Sequence, residues 1–139
     1  MATYTILNTF YIYYSGWGTR TFGGSSPSGA ISGIGESYRA IVGFTITPGA
    51  GERVTNPTLN LGFLHSGSTK TKLGAYLYDD LTKAQSSYST VPSGYLANAI
   101  ESEAKSNTSS GRMAKLTWNI ELTSSKTYYA WFYMEPHLS

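Results

Sequence analysis

The sequence predicts an all-β protein, an antiparallel two-sheet β-sandwich, on three observations. Only 13 % of its 139 residues are charged, about half the usual share, while tyrosine alone contributes 12. Run after run alternates apolar and polar residues with period two, the pattern of a strand with one buried face. Gly, Pro, Ser and Asn punctuate these runs every eight to twelve residues or so, with no rhythm of strands alternating with helices. The length fits one domain, residues 1–139, with a core of its own.

The elements follow in order. "YTILNTFYIYY" (4–14) reads as a first strand, with Ile6, Phe10 and Ile12 on one side and Tyr11 and Tyr13 on the other. Residues 1–14 are thus an N-terminal strand, or an arm set apart from the sandwich. "SGWGTRTFGGSSPSGAISGIGE" (15–36) reads as a long Gly/Ser-rich loop, because a structureless connection of that length marks a binding loop or a linker. The sandwich body spans 37–135. It opens with "SYRAIVGFTIT", where Tyr38, Ala40, Val42, Phe44 and Ile46 form the apolar set, and "PGAGE" follows as a turn. "TLNLGFL" puts Leu59, Leu61 and Phe63 together and "KTKLGAYLY" does the same for Leu73, Ala75 and Leu77; joined by "HSGST", the two are expected to be neighbours. Residues 79–93 are polar and turn-rich. "YLANAIESEAKS" fits a helical face as well as a strand by its spacing. "AKLTWNIEL" is the clearest alternation in the chain, and "TSSK" is expected to turn it into "KTYYAWFY" as a hairpin.

Several function classes are excluded or disfavoured. A formal charge of +2 with ten scattered basic residues makes no phosphate-tracking surface, so no nucleic-acid partner is expected. With no cysteine there is neither a disulfide frame nor a thiolate metal site. "MATYTILNTFYIYY" lacks the features of a secretory signal, and no stretch approaches a membrane span, so no membrane insertion is expected. "NTS" at Asn107 reads as a chance match to a glycosylation acceptor.

Paired carboxylates can hydrolyse glycosides when they flank the bond at a suitable separation. The candidate pairs are Asp79 with Asp80, Glu101 with Glu103, and Glu121 with Glu135. Asp79 and Asp80 are adjacent and point apart at a strand end, which favours loop capping; Glu101 and Glu103 share one face of a solvated edge. His65 lies in a turn and His137 in the tail, which supports neither a zinc site nor a Ser-His-Asp triad. "GWGTRTFGG" has neither the Lys-Ser/Thr pair nor the following helix of a phosphate loop, and nothing specific marks a calcium site at Asp79 and Asp80. No catalytic residue, metal or cofactor is expected, and the protein is read as not an enzyme.

From Tyr38 to Met134 the order of motifs "AIVGFTIT", "VTNPTLNLGFL", "LGAYLYDD", "VPSGYLANAIESE" and "LTWNIELTSSKTYYAWFY" resembles a family of jelly-roll modules found in phage tail and fibre proteins and in bacterial surface or carbohydrate-binding proteins. The resemblance covers about two thirds of the chain and is one of core positions and turns. It implies a jelly-roll form of the sandwich, implies that "SGYLANAIESE" is a strand, and carries no catalytic set.

"YYAWFY" has five aromatics in six positions. If Tyr128, Ala130 and Phe132 face the core beside Leu116, Trp118 and Ile120, then Tyr129, Trp131 and Tyr133 face outward, as Tyr76 and Tyr78 do on their strand. An outward aromatic patch calls for a partner. Three covers are open: a glycan stacked on flat rings, a second protein chain, or the protein's own first strand or long loop folded back. Tyr76, Tyr78, Tyr129, Trp131, Tyr133 and Trp17 are therefore the candidate ligand- or partner-binding residues. The expected function is that of a virion structural or host-attachment protein of a tailed phage, in a tail, fibre or head appendage. It would be a homo-oligomer, a trimer for preference, contacting other virion proteins and a host-surface glycan. The alternative is a carbohydrate-binding module of a larger secreted bacterial protein, and hence an extracellular location.

Overall fold

The computed structural model describes residues 3–7, 9–13, 16–21, 31–32, 39–64, 70–86, 93–105, 112–122 and 125–135. They form strands β1 (Thr3–Ile6), β2 (Thr9–Tyr13), β3 (Trp17–Thr21), β4 (Ile31–Ser32), β5 (Arg39–Thr47), β6 (Val54–Thr55), β7 (Thr58–Leu64) and β8 (Lys72–Tyr78). A short helix α1 (Leu81–Gln85) comes next, then β9 (Ala97–Ile100), β10 (Arg112–Thr117), β11 (Glu121–Leu122) and β12 (Lys126–Glu135). The fold is all-β and sandwich-like, with one long sheet in the order β3-β2-β5-β12-β8-β9 and β1 also paired to β5. Smaller pieces, β10-β7-β4 and β11-β6, make up the rest. All pairings are antiparallel except the two-residue contact of β4 with β7.

The alternating residues fill one interior between these sheets. Phe10, Ile12, Ala40, Val42, Phe44, Ile46, Leu73, Ala75, Leu77, Tyr128, Ala130 and Phe132 of the long sheet meet Leu59, Leu61, Ala114, Leu116, Trp118 and Leu122 from the smaller ones. Among the described residues the inward sets expected from period two are observed, with Ile6 and Ile120 partly buried against this core; Tyr38 and the Phe63 side chain lie outside what is described. Trp118 ties the layers together: its fully buried ring stacks on Phe44 at 6.1 Å, and its indole N–H donates to the Ala75 carbonyl of β8 at 3.0 Å. A buried N–H without such an acceptor would cost about 1–3 kcal/mol.

Two strand pairings differ from expectation for one reason. β7 and β8 are not neighbours, since β7 pairs with β10 while β8 pairs with β12 and β9. Nor do the last strands form a hairpin, since β12 lies between β5 and β8. In both cases consecutive strands belong to different sheets. Short turns between alternating runs suit a hairpin, but a strand that buries one face can reach the same core from either layer.

The N-terminal segment is part of the long sheet and not a separate arm. Ile6 lies opposite Phe44 and Tyr11 opposite Ile41. The N-terminal segment therefore advances five residues (11 − 6) while β5 advances three (44 − 41), so the register shifts by two between the pairings. A slip of one would turn every side chain over; a slip of two keeps Ile6, Phe10 and Ile12 inward. The Gly/Ser-rich stretch is likewise not structureless throughout, for β3 and β4 lie in it, and β3 forms an edge of the long sheet. Residues 15, 22–30 and 33–36 of that stretch are outside the described residues, as are His65, Asn107 and His137.

Candidate functional site, the outer aromatic face

The second face of the long sheet is assembled by strand register. Tyr11, Ile41, Trp131, Tyr76 and Asn98 stand directly opposite one another across β2, β5, β12, β8 and β9, so period two sends all five to the outer side. Beside this row, Gly43 of β5 lies opposite Tyr129, which lies opposite Tyr78. On the other side Tyr133 lies opposite Gly74. The glycines are there for space: a Cβ on Gly74 would sit 2.5 Å from the Tyr133 ring, and one on Gly43 would sit 2.6 Å from Leu7 Cδ1.

The six candidate residues are brought together, but the expected exposure is not observed. Tyr76, Tyr78, Trp131 and Tyr133 are buried, with Trp131 and Tyr78 at 0 % exposure. Tyr129 and Trp17 are half-buried. With Ile41 and Ala84 they form a second apolar cluster, flanked by Tyr11 and Leu81. The cover comes from within the chain. Asp80 accepts the Lys83 N–H at 3.1 Å as the N-cap of α1, which packs on β8 and β12 and buries Ala84. Trp17 of β3 donates its indole N–H to the Gln85 carbonyl at 2.6 Å, tying the end of the helix to the far edge of the sheet. Tyr78 donates its hydroxyl to the Ser93 carbonyl at 2.9 Å, and Tyr95 packs on Tyr76 with ring centroids 4.6 Å apart. Among the described residues, part of this cover is α1, from the segment read as polar and turn-rich, and part is Trp17 and Leu7, from the long loop and first strand expected as one of the covers.

Electrostatics follow from this burial. The Arg39 guanidinium lies 5.8 Å from the Trp131 ring centroid, a cation–π arrangement, and burial pulls its pKa down. The Tyr129 phenol is pushed up, first by burial and then by Tyr11 and Asp80. Tyr133 donates its hydroxyl to Asn98 Oδ1 at 3.3 Å.

Four of the candidate carboxylates, Asp79, Asp80, Glu101 and Glu121, have structural partners. Asp79 meets Lys126 at 3.4 Å and Glu121 meets Arg53 at 3.0 Å, both at the surface. Glu101 is not on a solvated strand face: β9 ends at Ile100, and the buried carboxylate of Glu101 accepts the Leu73 N–H at 2.9 Å, with Lys105 at 3.6 Å. Glu103 is exposed. Among the described residues no three His, Cys, Asp or Glu cluster as metal ligands, and no helix is long and apolar enough to cross a membrane.

Residues 95–100 are a feature the sequence reading passed over. Tyr95, Leu96 and Ile100 are exposed large apolar residues on or beside the edge strand β9. Their signal was an apolar cluster within "SGYLANAI", without a charge to break it. Comparison with models of known protein families, with curated proteins and with solved structures gives no match for this chain.

Proposed function

We propose that this chain is a non-enzymatic structural or host-attachment protein of a tailed-phage virion, a module of a tail, fibre or head appendage that acts as a homo-oligomer. The observation that carries the non-enzymatic part is the use of its carboxylates. Each candidate pair has at least one member engaged structurally: Asp80 caps α1, Glu101 completes the β8–β9 ladder and Glu121 pairs with Arg53. The jelly-roll form belongs to the same proposal. It is supported by the order β5-β12-β8-β9 in one sheet and β10-β7 in the other, with the chain passing from β5 to β7 to β8 and later from β9 to β10 to β12. Composition and the motif order from Tyr38 to Met134 support the phage setting.

A second reading, a carbohydrate-binding module of a larger secreted bacterial protein, is favoured by one local feature. The exposed ring of Tyr95 is braced by Tyr76, whose cross-strand neighbour is the exposed Asn98; a flat ring beside an amide suits the apolar face and hydroxyls of a sugar. The test is to measure mass in solution, polysaccharide pull-down and turnover on one preparation, and to look for the chain in purified particles. A stable oligomer found in particles supports the first reading. A strict monomer retained by a polysaccharide supports the second, and turnover abolished by replacing one Asp or Glu overturns both.

A further inference from the structure

The two edges of the long sheet differ in chemistry. β3 carries Arg20 and Gly18 among exposed residues, a charged and irregular edge that discourages further pairing. β9, "ANAI", has no charge and no proline, and Leu96 and Ile100 are exposed at its two ends. Among the described residues it pairs only with β8. This is the kind of strand edge that natural proteins usually blunt or cover.

The ladder phase tells which main-chain groups are left outward. The Glu101 N–H donates to the Leu73 carbonyl at 3.0 Å, and Ala99 lies opposite Ala75 two residues on. In an antiparallel pair, residues alternate between pointing their N–H and C=O groups at the partner and away from it. Glu101 and Ala99 therefore face β8, and the groups of Asn98 and Ile100 point away from the sheet; the alternation ends at the start of β9, where the Leu96 N–H donates to the Leu77 carbonyl at 2.7 Å. Main-chain donors and acceptors spaced two residues apart are matched by another extended strand, which sets aside a sugar or a lipid as the occupant.

We propose that the β9 edge is where a second copy of this chain pairs, antiparallel, about a two-fold axis at Ala99. The arrangement is self-complementary. Asn98 of each copy faces Ile100 of the other, so both outward residues exchange N–H···O bonds in both directions, and the small Ala99 side chains meet at the axis without crowding. The pairing would join two long sheets into one and bury Leu96 and Ile100. It rests on the proposed assembly as a homo-oligomer and names the surface used, an even-numbered closure in place of a three-fold one.

The test compares the wild-type chain with Ile100→Lys, at an exposed position, and with Asn98→Pro, which removes one outward N–H together with the amide acceptor of Tyr133. Light scattering of the wild type should give twice the chain mass, falling on dilution. Each variant should weaken association by about tenfold or more with its unfolding transition retained. The Asn98 and Ile100 amides should lose protection from hydrogen exchange when the protein is diluted. A trimer, or an oligomer indifferent to both variants, overturns the β9 interface and leaves the proposed assembly standing. A chain that is monomeric at every concentration overturns both, and protected Asn98 and Ile100 amides in that monomer would show that the chain covers its own edge.

Discussion

Trp17 and Gln85, 68 positions apart in the chain, meet in a hydrogen bond of 2.6 Å from indole N–H to main-chain carbonyl. Trp17 stands on the edge strand β3 and Gln85 closes α1, so one contact ties a sheet edge to the helix over the outer face. A five-residue helix has too few internal hydrogen bonds to persist alone. Its order comes from the Asp80 cap, the buried Ala84 and this tie. Trp17→Phe keeps an aromatic ring edge-on to Tyr13 and removes the donor. The expected loss is about 0.5–1.5 kcal/mol in urea unfolding, with faster hydrogen exchange confined to α1.

Trp131 is an anchor of the second core, at 0 % exposure between Ile41 and Tyr76. Trp131→Ala should therefore act on stability, by about 3–5 kcal/mol, and not selectively on binding. Tyr129→Ala, at a half-buried position, should cost clearly less. Calorimetry of the two variants checks this: a Trp131 variant that melts like the wild type would mean that the outer face is not a core.

Gly74 exists to seat Tyr133. The ring carbon Cζ would lie 2.5 Å, and the hydroxyl 2.6 Å, from an added Cβ, and the buried ring has little room to retreat. Gly74→Ala should destabilise by about 1–3 kcal/mol. The same substitution made together with Tyr133→Leu should cost less than the sum of the two single changes, and a double-mutant cycle in denaturant measures the difference.

Glu101 acts as a main-chain surrogate, its carboxylate taking the N–H of Leu73. Glu101→Ala should cost about 1–3 kcal/mol by leaving that donor without its acceptor. Glu101→Gln retains an acceptor oxygen and should be milder. If the alanine variant matched the wild type in thermal unfolding, the carboxylate would have no structural role.

The raised Tyr129 pKa sets the sign of an alkaline effect. The folded chain holds the phenolic proton more tightly than the unfolded one, so this contribution is full below the unfolded value of about 10 and fades as pH climbs through the folded value. Stability should fall above about pH 10, and Tyr129→Phe should flatten that decline. Urea titrations across the alkaline range provide the comparison.

The legible part of this protein is the part written in adjacent residues. Period two in "AIVGFTIT", "LGAYLY" and "YYAWFY" sorts Val42, Phe44, Leu77, Ala130 and Phe132 to one side from Tyr76, Trp131 and Tyr133 on the other, and the inner set is the observed core. The two-residue register offset before Tyr11 leaves this sorting intact because an even slip does not exchange faces. What covers the outer set is not written locally. α1 is five residues long, below the length at which periodicity can be recognised, and its partner Trp17 lies in a stretch dominated by glycine and serine.

From the sequence alone came the all-β class, the strands' inward faces and the existence of a second aromatic surface, since each depends on side-chain alternation over a few residues. Which strands pair, and whether that second surface meets solvent or protein, was decided by tertiary structure. Successive strands can join either layer at similar cost, and burial of Trp131 depends on Leu81, Ala84 and Trp17 arriving from far along the chain. Contacts of that range leave no periodic trace in either partner's neighbourhood.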